Sequence, residues 1–102
     1  MNIVGEKSVL IGTIHCEGDL LVAGRLEGTI TSKGTLHVCE GGVVKGTVRT
    51  NDLTVAGLIQ GEIEVSNRLR VKSSAKLEAC VNTRFLDWEE GAELEGELNA
   101  YY

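Results

Sequence analysis

Proline is absent from the 102 residues, and aromatic side chains make up only 4% of them. A core built around large rings is therefore excluded. The apolar share is 42%, enough for a folded domain, and it rests on Val, Leu and Ile, which favour strands. No apolar run reaches the ~18 residues of a membrane-spanning helix. No basic stretch followed by an apolar one opens the chain, so no secretory signal is read there. Positive charge is short as well: ten Lys and Arg face fifteen Asp and Glu, a net of −5. That balance argues against nucleic acid as a partner and against general attraction to anionic lipid. The three cysteines are odd in number and far apart, which excludes a disulfide framework and predicts reduced thiols in a cytoplasmic protein. The length fits a single domain, 1–102.

What is present is a repeat. The pattern apolar-x-Gly-x-apolar occurs as Leu10-Ile11-Gly12-Thr13-Ile14, Leu26-Glu27-Gly28-Thr29-Ile30, Val44-Lys45-Gly46-Thr47-Val48 and Ile59-Gln60-Gly61-Glu62-Ile63. It continues in Leu77-Glu78-Ala79-Cys80-Val81, with Ala in the Gly place, and in Leu94-Glu95-Gly96-Glu97-Leu98. A second pattern shares the period of about 17 residues: Leu20-x-Val22, Leu36-x-Val38, Leu53-x-Val55, Leu69-x-Val71 and Leu86-x-Trp88. Both alternate apolar with polar, as half-buried strands do. Between them lie Gly, Ser, Asn and Lys, residues suited to corners.

A period of this length is too short for a helical hairpin or a propeller blade. It predicts an all-β fold: a triangular parallel β-helix of about six coils, with no capping helix. With coils ~4.8 Å apart the rod would be roughly 29 Å long. Gly12, Gly18 and Gly24 fall six apart, but the later glycines leave that phase, so the strict hexapeptide of left-handed helices is missing. Crossover chirality then predicts the right hand. Residues 1–8 read as a short lead-in and 99–102 as a short tail.

Stacking turns each outward position into a ladder. One reads Thr13, Thr29, Thr47, Glu62, Cys80, Glu97, and another His15, Thr31, Arg49, Glu64, Asn82, Asn99. Threonine is abandoned after three coils, so no continuous Thr array forms. Arg49 is expected over Glu64, Arg70 over Asp87 and Glu27 over Lys45, with Glu78 over Glu95 as a like-charge stack. His15 and His37 share no ladder and gain no orienting acid, and Cys16, Cys39 and Cys80 occupy three different coil positions. No catalytic residue, metal site or cofactor is expected.

The ends carry the functional expectation. Six acids and no base lie between Asp87 and Glu97, while residues 1–86 have a net charge of +1. A solenoid without caps exposes an open core column and an unpaired strand edge at each end. Such a chain is expected to bind copies of itself end to end. The candidate residues are Ile3, Val4, Leu10 and Ile14 in the N-terminal coil, and Phe85, Trp88, Leu94, Leu98 and Tyr101 in the C-terminal coil.

These residues resemble those of the bactofilins, a bacterial family of cytoskeletal proteins. The resemblance rests on Val4-Gly5-Glu6, Ile11-Gly12-Thr13-Ile14, Gly18-Asp19-Leu20 and Gly24-Arg25-Leu26-Glu27-Gly28-Thr29-Ile30. It continues in Leu53-Thr54-Val55-Ala56-Gly57, Gly61-Glu62-Ile63 and Glu90-Gly91-Ala92-Glu93-Leu94-Glu95-Gly96. It implies a right-handed β-helix that polymerises without nucleotide, through its terminal coils, into filaments lacking polarity. It also implies a cytoplasmic scaffold for cell shape, envelope growth or motility structures, at times at the inner face of the membrane and beside cell-wall-modifying enzymes. Many members carry Pro-rich extensions that this sequence lacks, and Met1, Ile3 and Val4 are a meagre membrane anchor. Two other readings compete: a solenoid binding module that does not polymerise, and a left-handed β-helix acyltransferase with His15 or His37 as base.

Overall fold

A computed structural model describes residues 2–5 and 7–100, excepting the side chains of Asn2, Ile3, Val4 and Ala100. The ten strands are β1 (Asn2–Val4), β2 (Val9–Cys16), β3 (Leu20–Val22), β4 (Arg25–Ser32) and β5 (Thr35–Val38), then β6 (Val43–Val55), β7 (Leu58–Val71), β8 (Lys76–Trp88), β9 (Glu93–Glu95) and β10 (Leu98–Ala100). Every pairing is parallel, and the described residues contain no helix. The chain is a parallel β-solenoid. Six rungs on each wall give about five turns, and the longest dimension is 31 Å.

The register follows the repeat. Leu10, Leu26, Val44, Ile59, Leu77 and Leu94 stack in one column, and Ile14, Ile30, Val48, Ile63, Val81 and Leu98 in another. The Leu-x-Val copies form the remaining wall, from Leu20 and Val22 up to Leu86 and Trp88. Inward side chains of the middle coils are sealed: Leu26, Val48, Leu53, Ile59 and Leu69 are all 0% exposed. Each such side chain contributes ~1.5–3 kcal/mol of burial, and the core is a column because each coil meets only its neighbours.

Two devices turn the corners. The first is the central glycine, which bends β4, β6 and β7 without ending them: Gly28, Gly46 and Gly61 have φ of 123–125°, a region closed to most side chains. The second is a buried column of small polar side chains, Cys16, Ser32, Thr50 and Thr83, interrupted by Val65. Ser32 Oγ donates to the Gly18 carbonyl at 3.0 Å, the one Thr50 hydroxyl proton is shared between the carbonyls of Gly34 and Asp52, each 3.0 Å from Oγ1, and Thr83 Oγ1 donates to that of Phe85 at 2.8 Å. Cys16 Sγ lies 3.4 Å from the Gly18 carbonyl oxygen, so the thiol does the hydroxyl's work in the first coil. The hydroxyls satisfy carbonyls that leave the ladder where the strand bends.

The lead-in adds a rung to the solenoid, since β1 pairs with β3, and the tail contributes β10, which pairs with β8. Ala79 keeps the glycine column's register but not its positive φ, and the residue is buried, 6% exposed.

Candidate functional site: the terminal coils

The inward columns do not close at the ends. Leu10 is 43% exposed and Leu98 is 38% exposed, against 0% for Leu26 one rung in. Ile14 and Leu94 are half-buried, both packed against the core from one side. Covering such a half-exposed leucine with another chain would gain about 1 kcal/mol per side chain. Among the described residues no further strand pairs with the outer edges of β2, β9 and β10, and such edges are a template for pairing.

The two edges differ in chemistry. At the N-terminal edge the apolar character runs through three successive residues, with Val9 58% and Ile11 78% exposed beside Leu10. Ile11 occupies an outward ladder that is polar in every later coil: Glu27, Lys45, Gln60, Glu78 and Glu95. It was missed as a candidate because it lies inside the repeated motif, although its departure from that ladder was visible. At the C-terminal edge Leu94 and Leu98 are framed by Glu93, Glu95 and Glu97, all exposed. None of these three carboxylates makes an ion pair or hydrogen bond among the described residues.

The aromatic candidates lie apart from this column. Trp88 stands above Val71 at the last rung of the Leu-x-Val wall and is 41% exposed. Phe85 stands above Arg68, 43% exposed, on the outside of that wall, with the Arg84 guanidinium 5.8 Å from its ring centre. The strand residues Ile3 and Val4 pair with Leu21 and Val22, which places them at the N-terminal edge; their side chains, and the whole of Tyr101, lie outside the described residues.

The charge ladders fall as the repeat places them. Arg49 meets Glu64 at 2.9 Å, and Arg70 reaches Asp87 at 3.7 Å. Glu27 lies in register with Lys45, but its carboxylate turns to Arg25 at 2.9 Å. Glu78 lies in register with Glu95 and is relieved by Gln60, which donates to it at 2.7 Å, and by Lys76 at 3.4 Å. That hydrogen bond with Glu78, then the charges of Glu78, Glu93 and Glu95, raise the Lys76 pKa above its ordinary 10.5. No disulfide joins the three cysteines. The described residues hold no group of three or more candidate metal ligands, and no helix long and apolar enough to cross a membrane.

A family profile for bactofilins, described as polymer-forming cytoskeletal proteins, matches residues 2–99. The chain belongs to the bactofilin family. It is 26% identical over 97 residues to bactofilin BacO of Myxococcus xanthus (strain DK1622), covering 95% of this chain and 77% of that one. It is 27% identical over 97 residues to bactofilin BacP of the same organism, covering 95% of this chain and 40% of that one. The chain thus spans well under half the length of BacP. No solved structure matches it. For a bactofilin, a polymer-forming cytoskeletal protein, the exposed ends of the core column are the natural place to seek self-association.

Proposed function

We propose that this bactofilin is a cytoskeletal scaffold subunit that polymerises end to end through its terminal coils, without nucleotide and without catalysis. The observation that carries this reading is the exposure of Leu10 and Leu98 at the two mouths of a core whose middle coils are sealed. The junction would use Leu10, Ile14 and the β1 residues Ile3 and Val4 at one end. At the other it would use Leu94, Leu98 and Trp88, flanked by Phe85 and Tyr101. The polymer would support cell shape, envelope growth or motility structures from the cytoplasmic side of the membrane, with cell-wall-modifying enzymes as clients.

The cross-section sets the strength of each contact. The two shorter dimensions are 25 and 20 Å. An end face of that size covers on the order of 400 Å², about half the ~800 Å² per partner of a standard stable interface. Each junction is therefore weak by area, and the continued backbone ladder supplies both register and the remaining affinity. Assembly is expected to show a critical concentration.

Electron microscopy and pelleting of the purified chain test the reading. Thin filaments should form, and Leu10→Asp or Leu98→Asp should raise the critical concentration at least about tenfold, since each would bury a carboxylate at the junction. Thr54→Asp, on a side wall, should leave it unchanged. A monomer at every concentration by light scattering would defeat the proposal.

A further inference from the structure

Residues 67–86 carry five bases, Arg68, Arg70, Lys72, Lys76 and Arg84, against one acid, Glu78, in a chain whose net charge is −5. Parallel stacking brings part of this band onto one outer wall. There the outward ladder His37, Thr54, Arg70, Asp87 runs beside the ladder Thr35, Asp52, Arg68, Phe85. A groove of about 450 Å³ lies along this wall, with Thr35, His37, Thr54, Arg68, Arg70 and Phe85 in its lining. It crosses four rungs, a path of roughly 14 Å along the rod.

The guanidiniums in the groove are little used by the molecule itself. On the next wall Arg49 holds Glu64 at 2.9 Å. Arg68 and Arg70 instead converge on one oxygen of Asp87, at 3.6 and 3.7 Å, beyond hydrogen-bond length. Neither side chain makes a hydrogen bond among the described residues. Each guanidinium offers five N–H donors in a planar fork that matches a carboxylate. Asp52, the acid in the lining, accepts at Oδ1 from Nδ2 of Asn67, another lining residue, at 2.8 Å, and makes no ion pair with either arginine among the described residues. Phe85 adds a half-exposed ring at the same end of the groove, with Arg84 over it.

We propose that this groove docks an extended, carboxylate-rich peptide segment of a partner protein. Arg68 and Arg70 would each receive a carboxylate, Phe85 would pack against the segment's apolar carbons, and Thr35, Thr54 and His37 would offer hydrogen bonds to its backbone. A linear occupant fits because the groove follows the rod axis. A nucleic acid fits poorly, because a long polyanion would run past the groove over the other five acids of the terminal coil, whereas a short acidic segment can end within the groove, beside Asp52 and Asp87. Arg68 and Arg70 lie one rung inside the C-terminal edge of their wall, so docking does not depend on the end-to-end reading.

The test is fluorescence anisotropy of a fluorescein-labelled peptide of alternating Glu and Thr, titrated with the full chain below its assembly threshold. A Lys–Thr peptide serves as the charge control. The acidic peptide should bind saturably and the basic one should not. Arg68→Gln/Arg70→Gln should weaken binding about tenfold and Arg49→Gln should leave it unchanged. Arg70→Gln alone keeps the Arg68–Asp87 contact and should weaken binding about threefold, so a result remains if the double variant fails to fold. Absence of saturable binding to the unaltered chain would overturn the proposal. So would equal loss in Arg49→Gln, or undiminished binding in variants whose circular dichroism melts show them folded.

Discussion

A methyl group added to Gly46 would lie 2.0 Å from the Gly28 carbonyl oxygen, on a residue whose φ is 123°. Close approach of one coil to the next and positive φ therefore coincide, and only glycine meets both demands. Gly46→Ala should lose about 3 kcal/mol or more, combining left-handed strain with overpacking, as read by urea unfolding under conditions that keep the chain unassembled. The corner hydroxyls act at the same scale. Thr50→Val keeps the shape of the side chain but removes the hydroxyl from the Gly34 and Asp52 carbonyls, leaving the Gly34 carbonyl with only the Asp52 N–H at 3.3 Å. It should cost about 1 kcal/mol in the same measurement. The sequence places Ser32 among the corner residues and does not single out Thr50, because a hydroxyl residue near a Gly or Asn is a common mark of any turn and does not say which way the hydroxyl points. The structure turns both side chains inward, since the bend frees carbonyls that face the interior.

Among the strands, β9 and β10 are the weakly held elements. Each has three residues, against thirteen or fourteen for β6, β7 and β8, and among the described residues none after Thr83 is fully buried. Their coil is tied to the rest in part by charge: Lys72 meets Glu89 at 3.3 Å, and Lys76 lies in the field of Glu78, Glu93 and Glu95. The Lys76 pKa is higher folded than unfolded, so its support is fully present below 10.5 and is lost as the pH rises through the folded value. Hydrogen exchange at the β9 amides, corrected for the intrinsic rate, should therefore lose protection above pH 10.5 while the amides of β6 keep theirs. In Lys76→Met the β9 amides should be less protected already at neutral pH, and the alkaline step should vanish. An unchanged alkaline step in that variant would assign it to another group.

Taken as a whole molecule, the solenoid has no centre, and stability is a sum over neighbouring coils. Its end coils each have one neighbour and should open first, unless a second copy supplies the other. Polymerisation should therefore protect β2, β9 and β10 from hydrogen exchange far more than β6 and β7, with the change following protein concentration. Uniform protection along the rod would point to lateral bundling instead. The same geometry separates two kinds of surface: ends that expose the core column, proposed above to bind a copy of the chain, and a side wall on which Arg68 and Arg70 line a groove.

By itself, the sequence determined the period, the inward columns and the ladder partners. Arg49 meets Glu64 because translation by one coil is written into residue spacing, and alternation along a strand decides which face each side chain takes. Only the tertiary structure decided the rest. It showed that Cys16 continues a column of corner donors, that Phe85 lies on an outer wall beside Arg68, and that Ile11 stands 78% exposed at an edge. The physical reason is that exposure and corner hydrogen bonding depend on what lies one coil away and how the backbone bends to reach it. A repeat specifies that a neighbour exists, but not where the stack stops or which groups its bends leave facing each other.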